Sequence, residues 1–479
     1  MQKKKVMLID PPGYEGIAIG RILGSFGTNK ADQVWPPYDL QSFAGYCKKN
    51  GHVFKILDAN NLKMSYENVK EEIKKYDPDW VIYLTCFPNF YMDAATAIAT
   101  KQVSKKIKTA CMSLSIFSVE SPLKKMTELP DLDYMPWGEP EIVLMKLING
   151  VSAAKITGLY YKDKNGKVRF TGGESERVLN LDDLGVPVHE ALPYNIYKCP
   201  LSIRLPMTIV NCSRGCINRC VHCQAGNFHR PLRYRSVKNV LKELDEIKSL
   251  GIKEIKFYDC SLPANPHFLH ELCQKMIERK YNFSWNCNAR AEHIREDFLK
   301  LMKRAGCHTI AIGCESYDMN ILKKMGKNES PEELERAVRL VKNSGMRVLM
   351  YMLFGLEGET EETMKKNYEF ARKMKPEFVT FGVVVPAPGT PFHRMVKDKG
   401  YLIEKKLELQ DANFLPAYSF PSLPAEKIHE FARKSYRGYY LRLAYILMRI
   451  RGLRSFTELK MNLTNALSVV KRYCFEEIK

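Results

Sequence analysis

Three cysteines in one short loop, Cys216-Ile-Asn-Arg-Cys220-Val-His-Cys223, follow directly on the apolar run Met207 to Val210. Thiolates at this spacing can bind three irons of a cubane cluster and leave the fourth iron open. A cluster held by four cysteines is saturated and mainly carries electrons. An open metal position can take a substrate ligand, which is what separates catalytic from closed structural metal sites. The competing reading is zinc, with Cys212 as a fourth ligand in a closed tetrahedral site. A zinc ribbon normally shows two separated C-x2-C pairs, and the sequence offers no partner pair. Cys212 itself reads as a buried structural thiol.

The elements around this loop form two series. In residues 1–150, Lys5 to Asp10, Val53 to Asp58, Trp80 to Thr85 and Ile107 to Met112 read as buried strands. Leu40 to Lys49, Tyr66 to Lys75 and Met92 to Lys105 read as the helices between them. That alternation predicts a doubly wound parallel α/β sheet, which takes ligands beyond the carboxyl ends of its strands. Residues 151–200 read as a connector, with a hairpin turn at Lys162 to Lys167 and a polar linker at Leu181 to Pro187. From 201 to 400 the alternation returns with a longer period. Strands are expected at Met207–Asn211, Ile255–Asp259, Phe283–Cys287, Thr309–Gly313, Val348–Phe354 and Phe378–Val384. Val237, Val240, Leu241, Leu244 and Ile247 mark a one-sided helix after the first of them. Six βα units predict a partial (β/α)6 barrel with its chemistry at the strand carboxyl ends. The cysteine loop stands at the end of the first.

Each later strand ends in a group that could serve that mouth. Asp259 could hold an ammonium group, or be an ordinary turn residue. Arg290 suits a carboxylate, though it could equally face solvent. Glu315 could clamp the two hydroxyls of a ribose. The glycine turns at Gly355 and Gly389 could bring backbone close to a ligand, or simply be turns.

Taken in order, these blocks resemble the radical S-adenosylmethionine (SAM) superfamily. Asn211-Cys-Ser-Arg-Gly-Cys216 is similar to the cluster-loop entry of its cobalamin-dependent branch, and Gly313-Cys-Glu315-Ser316 to its G-x-E-S block. Met7-Leu-Ile-Asp-Pro-Pro12, Trp35-Pro-Pro-Tyr-Asp-Leu40, Gly51-His52 and Gly138-Glu139-Pro-Glu141 resemble the cobalamin-binding domain that precedes many of these barrels. The resemblance covers residues 1 to 400. It implies a [4Fe–4S] cluster on Cys216, Cys220 and Cys223. It further implies SAM on Glu315 and the glycine turns at Gly355 and Gly389, with Asp259 and Arg290 as further candidates at the mouth, and cobalamin on the first domain. The implied reaction is one-electron cleavage of SAM to a 5′-deoxyadenosyl radical that takes hydrogen from an unactivated carbon, with cobalamin-mediated C-methylation. It implies a low-potential donor of flavodoxin or ferredoxin type. Two departures stand out. There is no D-x-H-x-x-G to give cobalt a histidine, and Cys111-Met-Ser-Leu-Ser115 stands where the family usually has a glycine pair. Lost glycines predict bulkier walls at the cofactor. His222 replaces the aromatic residue that commonly precedes the last cysteine.

Alternatives are the same radical start without methyl transfer (a cyclase, epimerase or carbon–carbon coupling enzyme), a tRNA methylthiotransferase, and a non-enzymatic cluster protein. Cys47, Cys86 and Cys111 lack the methylthiotransferase motifs, and an electron carrier leaves Glu315 unexplained.

The bulk properties suit a cytoplasmic protein of two or three domains. The chain has 479 residues, 45% hydrophobic and 27% charged, with no apolar run long enough for a signal peptide or a bilayer span. Its 14 cysteines make no disulfide framework. The net charge of +20 is spread along the chain, so a nucleic-acid partner is not expected. Residues 401–479 form a helical, basic C-terminal region; from 425 onward it holds 12 Lys or Arg against 5 Asp or Glu. That tail could cap the barrel or lie on an anionic membrane. A small-molecule or lipid substrate is expected. Its identity and the oligomeric state are not legible.

Overall fold

A computed structural model describes residues 2–14, 17–22, 25–28, 33–403, 415–453 and 456–470. Parts of the C-terminal region expected over 401–479, namely 404–414, 454–455 and 471–479, therefore lie outside the described residues. The chain divides into two compact units. The first comprises Met1–Asn29, Val34–Pro193 and Arg233–Glu246; the second comprises Lys30–Gln33, Tyr194–Leu232 and Ile247–Lys479.

The first unit is built on strands β1 (Lys5–Asp10), β2 (Val53–Asp58), β3 (Trp80–Leu84), β4 (Lys108–Met112), β5 (Tyr134–Pro136), β6 (Leu159–Lys162) and β7 (Val168–Phe170), in the order β2-β1-β3-β4-β5-β6-β7. The first five run parallel and the last two antiparallel. In β1 and β3 nearly every residue is buried, as expected of strands covered on both faces by helices. Helices Tyr38–Lys49, Tyr66–Tyr76 and Phe90–Val103 follow β1, β2 and β3, so the sheet is doubly wound. The segment read as a connector instead extends this sheet. Leu159 and Tyr160 are buried in β6, and Tyr160 stacks on Phe170 of β7 at 4.1 Å between ring centroids. Two strands of three or four residues give too short an alternation to stand out in the sequence.

The strand order places the topological switch point between β1 and β3, where such sheets take ligands. A buried guanidinium occupies that crevice. Arg21, from the short strand Ile19–Ile22, donates to Asp10 Oδ1 at the end of β1 (2.8 Å), to Asp93 Oδ1 in the helix after β3 (2.6 Å), and to the carbonyls of Pro11 and Pro12. Burial pushes Asp10 up to about 7 against the pull of Arg21.

Residues 233–246 return to the first unit and complete its polar interior. Arg233 forks onto Glu139 and also reaches Val178 O. Glu243 accepts from Arg235 and from His189 Nε2 (2.8 Å), and the other ring nitrogen of His189 meets Gln41 Nε2 at 3.1 Å. Burying these charges is tolerable because each is paired.

The second unit is a partial barrel: β8 (Met207–Val210), β9 (Glu254–Phe257), β10 (Ser284–Ala289), β11 (Cys307–Glu315), β12 (Arg347–Phe354) and β13 (Phe378–Val383), all parallel and in chain order. Among the described residues β8 and β13 do not pair, so the ring stays open. Helix Ala425–Tyr440 packs on β13. It buries Ile428, Ala432, Tyr436 and Tyr439, and the Tyr440 hydroxyl exchanges hydrogen bonds with the backbone of Val379.

Candidate active site

The four buried residues of β8 deliver the chain to the barrel's carboxyl end, where the cysteine loop begins. Gly215 has φ +95°, and a Cβ there would lie 2.0 Å from His229 O, so the loop's exit and return stack too closely for any side chain. The turn is then pinned from inside. Asn227 Nδ2 donates to the carbonyls of Cys220 (3.0 Å) and Cys223 (2.6 Å), Val221 N donates to Met325 O, and Phe392 N donates to Val221 O. Cys216, Cys220 and Cys223 are free thiols, all partly exposed.

Their electrostatics differ. Cys216 is lowered to about 6, first by a hydrogen bond from the Cys260 thiol, with Asn218 and Arg290 also helping against burial. Burial raises Cys220, opposed by Arg290 and Lys327, and raises Cys223 to about 11. Cys212, the potential zinc ligand, is fully buried. Among the described residues, no group of three or more His, Cys, Asp or Glu is placed to hold a single metal ion. The three-cysteine loop fits a cluster in donor chemistry and access: soft thiols, one of them acidic, on an anchored turn.

Asp259, beyond the end of β9, does not present a free carboxylate. Its Oδ1 accepts from Cys212 N (3.1 Å) and Ser213 Oγ (2.5 Å), and Oδ2 also faces Cys212 N (3.3 Å). It is buried, and burial raises it against those donors. Asp259 therefore anchors the entry to the cysteine loop. Arg290, just beyond β10, is likewise engaged: Nη1 donates to Cys220 Sγ (3.5 Å), Nε to Glu292 (2.6 Å) and Nη2 to Glu329 (3.1 Å). Its guanidinium serves the loop and two protein carboxylates.

Glu315, at the end of β11, is different. It has φ +62°, rare for a residue with a side chain, and the register with β12 slips between Gly313 and Glu315. Such a bulge re-aims a side chain, and the left-handed backbone costs about 1–3 kcal/mol. The side chain folds back over Gly313, where a Cβ would sit 2.6 Å from Glu315 Oε1. Half-buried, its carboxyl is raised by burial and drawn down by Lys327. No hydrogen bond to it occurs among the described residues, so it keeps its accepting capacity for a ligand. Lys327 is buried, bonded to Gly313 O and to Glu329 (3.0 Å).

The two glycine turns divide. Gly355 (φ +83°) is packed against protein: its N–H donates to Glu359 (2.5 Å), its carbonyl accepts from Tyr418 (2.8 Å), and a Cβ would lie 2.1 Å from the Tyr418 hydroxyl. Gly389 (φ +82°) is exposed, its carbonyl held by Arg394 (2.6 Å), ahead of the Thr390-capped helix Pro391–Asp398.

The strands also carry polar residues that no motif announced. Lys256, Asn286, Thr309 and Arg347 stand in register across β9 to β12 on one face. Lys256 is buried, which lowers it, and donates to Asn288 Oδ1 (2.8 Å). Both side-chain polar atoms of buried Asn286 have no hydrogen-bond partner among the described residues. Buried polar groups of this kind are normally satisfied by water or ligand. A lysine inside an apolar-flanked strand was the available signal. Cys260 beside Cys216 gave none beyond its strand-end position.

In the first unit, Ser113 and Ser115 replace the expected glycines after β4. Both are buried, with hydroxyls paired at 2.9 Å. Their hydroxyls are spent inside their own loop, Ser115 N also donating to Ser113 Oγ (3.0 Å).

Residues 210–371 match the model of the radical SAM superfamily. An uncharacterized methyltransferase of Pyrococcus horikoshii is 29% identical over 451 residues, covering 92% of this chain and 94% of its own. The anaerobic magnesium-protoporphyrin IX monomethyl ester cyclase of Rubrivivax gelatinosus is 26% identical over 429 residues, covering 86% and 75%. Among solved structures, the radical SAM methyltransferase TsrM of Kitasatospora setae, with cobalamin and a [4Fe-4S] cluster bound, superposes with a TM-score of 0.68. It does so at 17% identity, over 83% of this chain and 78% of its own. Residues 210–371 thus form a radical SAM domain, the chain is an enzyme, and its fold is that of a cobalamin-bound radical SAM methyltransferase structure. The superfamily's domain implies a [4Fe–4S] cluster and SAM.

Proposed function

We propose that this enzyme methylates an unactivated carbon of a small molecule or lipid, with Cys216, Cys220 and Cys223 holding the cluster and the first unit holding cobalamin. When bound, the cluster and SAM supply a 5′-deoxyadenosyl radical for hydrogen abstraction, and cobalamin supplies a carrier for the methyl group. The chain's own part is positioning. Asp259 and Asn227 fix the cysteine loop, Arg290 sets a positive charge against Cys220, and Glu315 offers a carboxylate for the SAM ribose. The observation carrying this reading is Glu315: a strained, re-aimed carboxylate without a protein partner, on the barrel that bears the cysteine loop.

The test is anaerobic purification from a cobalamin-replete host, followed by reduction with a low-potential flavodoxin or ferredoxin and addition of SAM. Expected are near-stoichiometric cobalamin, 5′-deoxyadenosine, and S-adenosylhomocysteine from the methyl-donating SAM. Cluster-loaded protein that forms no 5′-deoxyadenosine with any additive refutes the radical step. The relation to a cyclase favours one second reading, radical ring closure without methyl transfer. It predicts 5′-deoxyadenosine with no S-adenosylhomocysteine and no product heavier by a methylene.

A further inference from the structure

Helix Leu443–Arg451 is built the wrong way round for a helix resting on a protein. It buries none of its residues. Leu443 (70% exposed), Ile446 (43%), Leu447 (42%) and Ile450 (58%) all face solvent. Their spacing of three and four puts them on one side of the helix as a continuous apolar stripe. The inward side is aromatic and cationic instead. The Tyr445 hydroxyl donates to Glu377 O (3.0 Å), and its ring meets Tyr440 edge-on at 4.9 Å. Arg449 lies over the Phe378 ring at 4.3 Å and donates to Asn462 Oδ1 (2.8 Å). These contacts fix the helix's rotation, so the stripe is held outward and cannot roll under.

The stripe does not stand alone. Leu441 (49%) precedes it, and Leu463 (57%) and Leu467 (72%) are exposed one turn apart on the next helix, Phe456–Val470. The chain around it is rich in cations, with Lys434 paired to Glu430 (2.6 Å) and Arg449 facing Glu458 (3.9 Å). Between Glu430 and Glu458 the chain has seven Lys or Arg and no Asp or Glu. Of these, Lys434, Arg437 and Arg451 are exposed. Exposed apolar patches rimmed by charge mark interaction sites. A second copy of the chain would bring two such cationic rims together, at a net charge of +20 each, which like-charge repulsion opposes. An anionic bilayer satisfies both halves at once: leucine and isoleucine enter the acyl boundary while arginine and lysine meet headgroup phosphates.

We propose that helix Leu443–Arg451 seats this enzyme peripherally on an anionic lipid surface. The proposal goes beyond the reaction above and does not depend on it. The test uses the full-length, cluster-loaded protein and sedimentation with vesicles of phosphatidylcholine alone or with added phosphatidylglycerol. Partition is expected to be roughly tenfold or more stronger on the anionic vesicles and to fall with added salt. The double variant Ile446→Glu with Ile450→Glu should lose that binding, and Arg437→Glu with Arg451→Glu should lose the preference for phosphatidylglycerol. Both pairs are surface changes, and an unaltered cluster spectrum will show that the barrel is intact. Failure to bind either vesicle overturns the proposal, as does undiminished binding by the first variant. A dimer seen by light scattering that the first variant dissolves overturns it in favour of self-association.

Discussion

Replacing Arg290 by glutamine should make the cluster harder to reduce while leaving SAM binding close to native. The guanidinium donates to Cys220 Sγ at 3.5 Å and acts on that thiol more strongly than Lys327 does. With a charge separation of roughly 5 Å and an effective dielectric of about 20, its interaction with one added electron is about 3 kcal/mol. For a one-electron couple that corresponds to about 140 mV, at 59 mV per tenfold. Glu292 and Glu329 each take a share of the guanidinium's charge, so about half, roughly 70 mV, is the expected fall in midpoint potential. Glu329 keeps its ion pair with Lys327 at 3.0 Å, which limits structural damage from the lost arginine. The assay is a redox titration followed by electron paramagnetic resonance, with iron and sulfide counted on the same sample. Arg290→Lys should recover part of the shift, since it restores charge without the three-way fork. If the glutamine variant holds a full cluster and its potential moves by less than about 20 mV, the charge argument is refuted.

Three further outcomes follow from the same geometry. Glu315→Gln should weaken SAM binding about 10- to 100-fold, the worth of a charge-assisted hydrogen-bond pair, at unchanged iron content; equilibrium dialysis of SAM checks it. Asp259→Ala leaves the Cys212 N–H and Ser213 hydroxyl unpaired in a buried place. It should cost about 2–3 kcal/mol locally and lower cluster occupancy, while Asp259→Asn retains more; iron analysis after reconstitution decides. Burial raises Glu359 from 4.5 to about 8. Its contribution to stability is therefore whole below pH 4.5, where both folded and unfolded carboxyls hold the proton. It is lost as pH rises through 8. Glu359→Gln should flatten that loss, gaining of order 3 kcal/mol over the native chain by pH 8.5, read as a growing difference in thermal midpoint between pH 5 and pH 8.5.

The parallel strands were legible because a strand buried on both faces is a near-continuous apolar run, and all six barrel strands stand within a few residues of their expected bounds. The cysteine loop was legible because its spacing is itself the chemistry. Asp259 and Arg290 were legible in place, but their protein partners were not. A strand-end carboxylate or guanidinium declares its charge in the sequence, whereas Ser213, Cys220 and Glu329 become its partners only through tertiary packing. The packing at Gly355 was hidden for a related reason. Its positive φ makes a turn, but the Tyr418 hydroxyl that fills the space against it comes from 63 residues further along the chain. Arg21 was invisible, since one arginine in a glycine-rich stretch gives no hint that two buried aspartates will close on it.

The first unit is not finished when its sheet is. Its last piece, Arg233–Glu246, leaves the ribosome only after the cysteine loop has been made. Until then His189 lacks Glu243, and Glu139 lacks Arg233, each a buried polar group without its hydrogen-bond partner. A fragment cut near residue 193 will not be an independent cofactor-binding module but a destabilised one, prone to aggregate. Complementation by a peptide spanning 233–246 should rescue it, and any attempt to graft this unit onto another barrel has to carry that segment along.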